Sequence, residues 1–354
     1  MPSISDTPGA HRSGTGSVAG RIADALGAAG RAVHSPAGTL EVALPGQEVG
    51  RALSSPLLID KVLRAHAVGS PGEPRFGAFV DGVQESRAVA YLGVIPVVHA
   101  RVAAVVRARV GRRLVTWGDG ARVDEAVYLP LGMCDPSAGT SLLSAGLRVI
   151  DTTDDAIAGD EVHPQQLLRR ALQLVQRQRE KLERELAEQW CRAAIRFADA
   201  PGASGDGAHA ALYVDGGLPS PAVVLASRLA VGVVKSHHTL YTTGGALNTV
   251  MSLGAGERSS IFVVKTWWRE PVASWYLRLR DPRGRDPLWG LARVEASLPT
   301  IEGGPASADD RADEVSRWVL AESAPLSLPD SRWDTMAYGI RDCEVYLRAT
   351  LGAR

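Results

Sequence analysis

The apolar positions of this chain form strand-like and helix-like patterns in turn, and their order predicts the fold. From Phe76, Val-rich apolar runs extend over about thirty residues. Such runs are typical of strands in the centre of a sheet that is covered on both faces. Residues 161–198 instead place apolar side chains about 100° apart on one face, which predicts a long helix. Strand patterns return at 211–220, and helical patterns end the chain at about 310–323 and 333–350. This order indicates an α/β fold with a mixed sheet.

The same patterns divide the chain into three segments. Residues 1–15 are mostly Ser, Gly, Pro and Thr, which predicts a disordered N-terminal tail. The segment 16–70 is predicted to be helical, with helical spacing at 17–35 and 50–67. A turn rich in Gly and Pro follows, and residues 75–350 are predicted to form one domain.

Two strand patterns end on an acidic residue that is followed by glycine. The first is FVDG, with Asp81 and Gly82, and the second is YVDGG, with Asp215 and Gly216. A strand places its last carboxylate at the rim of a sheet, and glycine allows a close approach of backbone or phosphate. The pattern therefore indicates two carboxylates that can bind a metal ion, although each Asp-Gly pair also fits an ordinary turn at a strand end.

The long predicted helix carries a charged pair inside its apolar stripe. Arg179 lies in the middle of the stripe and Glu183 at its edge. Burial of charge is unfavourable unless the charge is paired or coordinated, so an ordinary i,i+4 pair and a ligand role both explain Glu183. Together with Asp81 and Asp215 it would supply hard oxygen ligands, which suit Mg²⁺ or Mn²⁺. Two such ions activate water and stabilise the leaving oxygen of a phosphodiester.

Basic residues follow the predicted strands and are candidates for binding phosphate. Lys235 ends the strand pattern VGVVK, and His238 follows it, although such a His also fits a strand-end cap. Arg278 and Arg293 lie on two predicted antiparallel strands, at 273–281 and 289–299. Side chains of this kind hold the phosphates of nucleic acid.

Composition narrows the class of protein. Basic and acidic residues balance at 39 each, so no overall charge points to nucleic acid. Three widely spaced Cys indicate neither a zinc site nor a disulfide framework, which fits a reducing compartment. We find no apolar run long enough to span a membrane and no secretion signal, so we expect a soluble, cytoplasmic protein. No GxxxxGK loop is present, so an ATP-driven motor would require a partner chain.

Several motifs in this order resemble the NurA nuclease family. They are FVDG, a helix with an RxxxE step, YVDGGL, GVVKSHHTLY, a strand pair ending in RVE and a Tyr-bearing last helix. The resemblance extends from about residue 75 to residue 350. It implies an RNase H-like core, also compared to the PIWI domain, and degradation of DNA with Mn²⁺ or Mg²⁺. It further implies a homodimer that works with the hexameric ATPase HerA in DNA end resection, repair or DNA defence.

The resemblance also assigns site residues, and one part of the pattern departs from it. Asp81 and Asp215 correspond to the two strand carboxylates of the family, and Glu183 is the best candidate for its helix carboxylate. The family tends to close with a Tyr and a His or acidic residue on the last helix. Here Tyr338 is present without a His, so Asp342 would complete the metal site, with Glu344 as the alternative.

Two other functions remain compatible with the sequence. The departure at the last helix fits a nucleic-acid-binding or partner-docking module of the same fold whose catalytic site has decayed. A phosphatase or another metal hydrolase of small molecules would use a similar set of carboxylates. Survival of all three carboxylates at 81, 183 and 215 favours the nuclease.

Overall fold

The computed structural model describes residues 17–28, 33–34, 52–154, 163–198, 210–266, 269–301, 305–323 and 337–352. It divides into two compact units. The smaller contains residues 1–43, 85–101 and 125–174, and the larger contains residues 44–84, 102–124 and 175–354. The predicted tail, 1–15, lies outside the described residues.

The strands, in chain order, are β1 Val33–His34, β2 Ala65–Ala67, β3 Phe76–Leu92, β4 Ile95–Val110, β5 Arg113–Thr116, β6 Arg122–Leu129, β7 Val149–Asp151, β8 Ala211–Asp215, β9 Ala230–Val234, β10 Glu257–Ser259, β11 Phe262–Thr266, β12 Arg269–Arg278 and β13 Leu291–Ser297. The helices are α1 Val18–Ala28, α2 Pro136–Ser144, α3 Pro164–Ala198, α4 Ala222–Leu225, α5 Gly244–Met251, α6 Pro305–Glu322 and α7 Tyr338–Gly352. Among the described helices, none is long and apolar enough to cross a membrane.

The larger unit is built on a mixed sheet. Its strand order is β2-β10-β12-β13-β9-β8-β3-β4, with β11 paired to β12 and β5 paired to β4. The central pairs β3–β8 and β8–β9 are parallel, and the pairs β9–β13 and β13–β12 are antiparallel. Parallel neighbours need a long connection, and α3 lies in the chain between β3 and β8. The predicted mixed sheet, with a long helix between the two Asp-bearing strands, is therefore confirmed.

The core of the larger unit is rich in aromatic side chains. Phe76, Phe79, Tyr213 and Trp275 are buried and pack with apolar residues of α6 and α7. The rings of Phe76 and Tyr213 lie 5.1 Å apart in an edge-to-face arrangement, which is favourable for aromatic pairs. These contacts fix β3 and β8 against each other just before their two aspartates.

The smaller unit has a core of its own. Ile22 and Leu26 of α1 pack with Leu142 of α2 and with apolar residues of β3, β4 and β6. Helix α2 begins at a capping residue: Asp135 accepts a hydrogen bond from the Ser137 amide at 3.0 Å, and Pro136 occupies the first turn.

Two expectations from the sequence are wrong. The helix expected over 50–67 does not form at the described residues 52–67. The chain there lies along the sheet, where the Leu58 amide donates to Ile261 and the Val263 amide donates to Pro56. Asp81 does not end its strand either, because β3 continues to Leu92. Hydrogen bonds to the sheet outweigh the helical spacing in the first case.

Candidate metal centre

Asp81 and Asp215 lie side by side on neighbouring parallel strands. Val80 pairs with Val214, and each of these residues is followed directly by an aspartate. Neighbouring strands are about 4.8 Å apart, and residues at the same register of a parallel pair point to the same face. Asp215 also pairs with Val233 of β9, so it lies between two parallel strands. The two carboxylates therefore share one face of the sheet.

Helix α3 brings a third carboxylate close enough to Asp81 for their charges to interact, and it contacts β3 at the glycine that follows Asp81. A Cβ atom on Gly82 would lie 2.3 Å from Glu183 Oε1 and 3.0 Å from Arg179 Cγ. A side chain at position 82 would therefore displace the Glu183 carboxylate or the Arg179 side chain, and its Cβ would also lie 3.1 Å from the Ala103 carbonyl oxygen. The glycine after Asp81 was expected to allow a close approach, and the group that approaches is the helix carboxylate.

Two cations pair with two of these carboxylates. Lys235 Nζ lies 2.8 Å from Asp215 Oδ1 and 2.9 Å from Asp215 Oδ2. Arg179 donates to Glu183 at 2.6 Å and also to Gln84 at 3.2 Å. The charged pair predicted in the apolar stripe of the helix is thus formed, and it faces the carboxylates of the sheet.

Asp81 has no such partner. Its Oδ1 accepts the Gly82 amide at 2.7 Å, whereas its Oδ2 is buried without a hydrogen-bond partner among the described residues. Burial raises the pKa of Asp81 well above its ordinary value, and the charges of Asp215 and Glu183 raise it further. Lys235 and the Gly82 amide act in the opposite direction without compensating. An unsatisfied buried carboxylate oxygen is unfavourable, so it marks a place where a positive ligand would be stabilised.

Glu183 is held in a similar state. Burial raises its pKa to about 7, although the neighbouring charge of Arg179 lowers it, and Asp215 and Glu180 add to the increase. Near neutral pH the group is therefore close to its titration midpoint, and a cation beside it would favour the ionised form.

The donor set fits a divalent metal ion. Three carboxylates and two cationic side chains leave one net negative charge when all are ionised, and Asp81 is the carboxylate without a counter-charge. Carboxylate oxygens are hard donors that suit Mg²⁺ and Mn²⁺. In the described part of the chain, no three His, Cys, Asp or Glu side chains are spaced as a ready-made cage. Binding of a cation by all three carboxylates would require them to move closer together, with Lys235 and Arg179 giving up their ion pairs.

The C-terminal candidates lie on α7. Asp342 accepts a hydrogen bond from Arg107 at 2.5 Å, and Tyr338 is 57% exposed at the start of the helix. Glu344 is buried and contacts Arg341 at 3.2 Å. Cys343 lies between Asp342 and Glu344 in the chain, and its thiol donates to the Phe79 carbonyl. Burial raises the pKa of this thiol, and the charges of Asp81 and Asp342 raise it further. Helix α7 therefore passes close to Asp81, while the described contact of Asp342 is with arginine.

The predicted phosphate-binding residues differ in whether a ligand could reach them. Lys235 lies at the carboxylates, and His238 is exposed just after it, as a contact with a ligand would require. His237 is half-buried and contacts the Leu291 carbonyl at 2.8 Å. Arg278 is fully buried, and its three nitrogens all donate to backbone carbonyls. Arg293 is buried and pairs with Glu295. Only the first two are disposed to contact a ligand.

A second cluster of charges adjoins Asp215, and sequence reasoning missed its role. Glu295 is fully buried, and it pairs with Arg269 as well as with Arg293. The alternation of charged and apolar residues in the strand ARVEAS was a visible signal. No such signal marked Arg269, because nothing in the sequence relates it to β13.

Comparison with known proteins gives a distant likeness to solved structures and no match by sequence. No protein-family model matches the sequence, and no curated protein matches it. Among solved structures, the crystal structure of the NurA nuclease from Sulfolobus solfataricus is similar over 88% of this chain and 89% of that chain, with a TM-score of 0.37 and 8% sequence identity. It belongs to the family that the sequence motifs resemble. A likeness this distant does not transfer an activity or a residue's role to this chain.

Proposed function

We propose that this protein is a metal-dependent DNA nuclease that hydrolyses phosphodiester bonds with Mn²⁺ or Mg²⁺. The observation that supports it best is the buried, unpartnered Oδ2 of Asp81, which lies among the charges of Asp215 and Glu183. In this proposal Asp81, Glu183 and Asp215 hold the metal, and Asp342 or Glu344 approaches from α7. When bound, paired divalent ions at a carboxylate site of this kind lower the pKa of water and stabilise a leaving oxygen.

The residues of the chain have distinct parts in this proposal. Asp81 and Asp215 form a rigid pair because their strands are in register. Arg179 holds Glu183 toward the sheet until a cation competes for it. Lys235 leaves Asp215 when a cation arrives and is then free to contact a phosphate, and exposed His238 provides a second contact.

The wider role rests on the sequence motifs alone. We propose that the protein acts in the cytoplasm as a homodimer with a hexameric HerA-type ATPase, in end resection, repair or DNA defence. The absence of a GxxxxGK loop in the sequence agrees with ATP hydrolysis by a partner chain. Co-purification with such an ATPase, and an ATP requirement that appears only in the mixture, would test this part.

The experiment that tests the nuclease proposal is cleavage of linear DNA with Mn²⁺ by paired variants. Asp81→Asn and Asp215→Asn keep the side-chain volume but weaken the metal ligand, so each is expected to lower the cleavage rate at least 100-fold. Asp119→Asn, which changes an exposed aspartate in a turn of the larger unit, is the control and should cleave like wild type. Full activity in either site variant would remove that residue from the proposal.

A second prediction concerns the lysine that would contact phosphate. Lys235→Met removes a positive charge while keeping most of the side-chain volume, so binding of a cleavage-resistant phosphorothioate DNA measured in Mn²⁺ should weaken about fivefold. The dependence of affinity on salt concentration should also become shallower, because fewer counterions are released. Unchanged affinity and unchanged salt dependence would contradict a phosphate contact.

The alternative function is a DNA-binding or docking module without catalytic activity. One observation favours it: Lys235 and Arg179 already pair with two of the three carboxylates, and the described residues contain no ready-made metal cage. The two functions differ in their response to a chelator. The module should bind DNA equally well with EDTA or Mn²⁺ and never cleave it.

A further inference from the structure

Glu295 is the most completely buried carboxylate that adjoins the proposed site. It lies on β13 with no solvent exposure. It accepts hydrogen bonds from both terminal nitrogens of Arg269 at 2.8 Å and from Arg293. It also accepts the backbone amide of Leu218 at 2.7 Å. One buried carboxylate thus joins two arginines to a backbone segment that begins three residues after Asp215.

The turn from Gly216 to Leu218 is held at both ends. The Gly216 amide donates to Val233 at 3.0 Å, and Gly216 has a φ of 126°, which only glycine adopts without strain. At Leu218 the amide donates to Glu295, and the carbonyl accepts from Arg269 at 2.7 Å. Both backbone groups of Leu218 are therefore fixed by the same ion pair.

The turn packs closely against β9 and against the ion pair. A Cβ on Gly232 would lie 2.6 Å from the Leu218 amide nitrogen and 2.8 Å from the Gly216 carbonyl oxygen. A Cβ on Gly217 would lie 3.2 Å from Glu295 Oε2 and 3.3 Å from an Arg269 nitrogen. The backbone thus approaches β9 at distances that only glycine permits, whereas a Cβ on Gly217 would require the ion pair to shift by a few tenths of an ångström.

The charges of this cluster remain constant over a wide pH range. Burial alone would raise the pKa of Glu295, but the charges and hydrogen bonds of Arg293 and Arg269 outweigh burial and lower it to about 2. A buried ionic cluster is no more stabilising than apolar side chains of similar volume, so core stability alone does not account for it. Its hydrogen bonds to backbone converge on Leu218, which gives it a directed effect on the turn.

We infer that Arg269, Glu295 and Arg293 form a positioning triad that fixes the turn after Asp215 and so holds the Asp215 carboxylate in place for the metal ion. This inference rests on the proposed function for its metal, and on the hydrogen bonds of Leu218 for its geometry. The three residues do not contact the cation themselves. They act through the backbone of residues 216–218.

The test compares Glu295→Gln with a control that removes a carboxylate charge from another buried arginine. The control is Asp313→Asn, because Asp313 pairs with Arg258, which is fully buried on the same sheet. Neither residue of this pair has a described contact with Asp215 or Leu218. Binding of Mn²⁺ to the chelator-treated full-length proteins is measured by calorimetry, and the melting temperature of each variant is recorded. Glu295→Gln should weaken Mn²⁺ binding at least tenfold, whereas Asp313→Asn should stay within twofold of wild type at a comparable loss of melting temperature.

Two further measurements complete the test. Gly232→Ala changes no charge, and hydrogen exchange in EDTA does not depend on the proposed metal. Gly232→Ala should displace the turn while leaving the triad intact, and it should also weaken Mn²⁺ binding. In EDTA, hydrogen exchange of the peptide containing Leu218 should accelerate at least tenfold in Glu295→Gln. Wild-type Mn²⁺ affinity in both variants, or unchanged exchange at Leu218, would overturn the positioning triad. Failure of wild type itself to bind Mn²⁺, with accelerated exchange at Leu218, would overturn the proposed metal site instead and leave the triad as a support of the turn.

Discussion

At the scale of the residue, the proposed site depends on two carboxylates that are buried where the ionised form is unfavourable. Asp81 is buried with one unpartnered oxygen, and Glu183 is buried beside a single arginine. In both cases burial raises the pKa more than the neighbouring cations lower it. Such groups destabilise the metal-free fold when they ionise, and they are common at functional sites.

The raised pKa of Glu183 predicts how stability changes with pH in the metal-free protein. Its pKa rises from an ordinary value of 4.5 to about 7 in the folded chain, so the folded state holds a proton that the unfolded state releases. The resulting stability is fully present below about pH 4.5 and is lost as the pH rises through about 7. By this linkage the contribution is roughly 3 kcal/mol.

Urea unfolding in EDTA at a series of pH values measures this effect. Glu183→Gln removes the titrating group, so its free energy of unfolding should decrease less between pH 4.5 and 7.5 than that of wild type. Glu188→Gln, which removes a carboxylate paired with Arg192 on the same helix, is the control and should retain the wild-type slope. Equal slopes for wild type and Glu183→Gln would show that Glu183 titrates normally.

At the scale of the element, the site depends on how closely helices approach β3. Helix α3 approaches at Gly82, and α7 approaches at Gly339, where a Cβ would lie 2.3 Å from the ring of Phe79. Gly339 lies in the first turn of α7, and the absence of a Cβ there lets the helix pack directly on Phe79. Phe79 is two residues before Asp81, and the position of α7 is therefore coupled to the site.

This packing predicts that two Gly→Ala changes in α7 differ in their effect on stability. Gly339→Ala should destabilise the protein by about 1–3 kcal/mol, because the new methyl group overpacks against Phe79. Gly352→Ala, at the exposed end of the same helix with nothing within 4 Å of its Cβ, should change stability by less than about 0.5 kcal/mol. Thermal unfolding of the two variants measures the difference. A stabilising effect of Gly339→Ala would mean that α7 does not lie directly on Phe79.

At the scale of the whole molecule, the sequence predicts elements better than contacts between them. The Val-rich runs and the long apolar stripe identified β3, β4 and α3, because burial imposes a period on each element. The register that places Asp81 beside Asp215 was not readable, since it depends on packing between strands 134 residues apart in the chain. The pair of Arg179 and Glu183 was predictable because its spacing is local, whereas Arg269 and Glu295 meet only after β12 and β13 pair.

The failed expectations have the same origin. Residues 52–67 show helical spacing, but the edge of a sheet offers hydrogen bonds to the Leu58 amide and the Pro56 carbonyl that an isolated helix cannot match. Tyr338 is exposed and Asp342 contacts an arginine because of where α7 lies, which the motif alone does not encode, and their part in the site stays a prediction.

The central claim is that Asp81, Glu183 and Asp215 together hold a divalent cation. Anomalous diffraction from crystals of the full-length protein soaked in Mn²⁺ tests it most directly. The account predicts an anomalous peak about 2.2 Å from Asp81 Oδ2, with Asp215 as a second ligand and with Lys235 moved off Asp215. No peak at Asp81 at saturating Mn²⁺, with Lys235 still paired to Asp215, would contradict it.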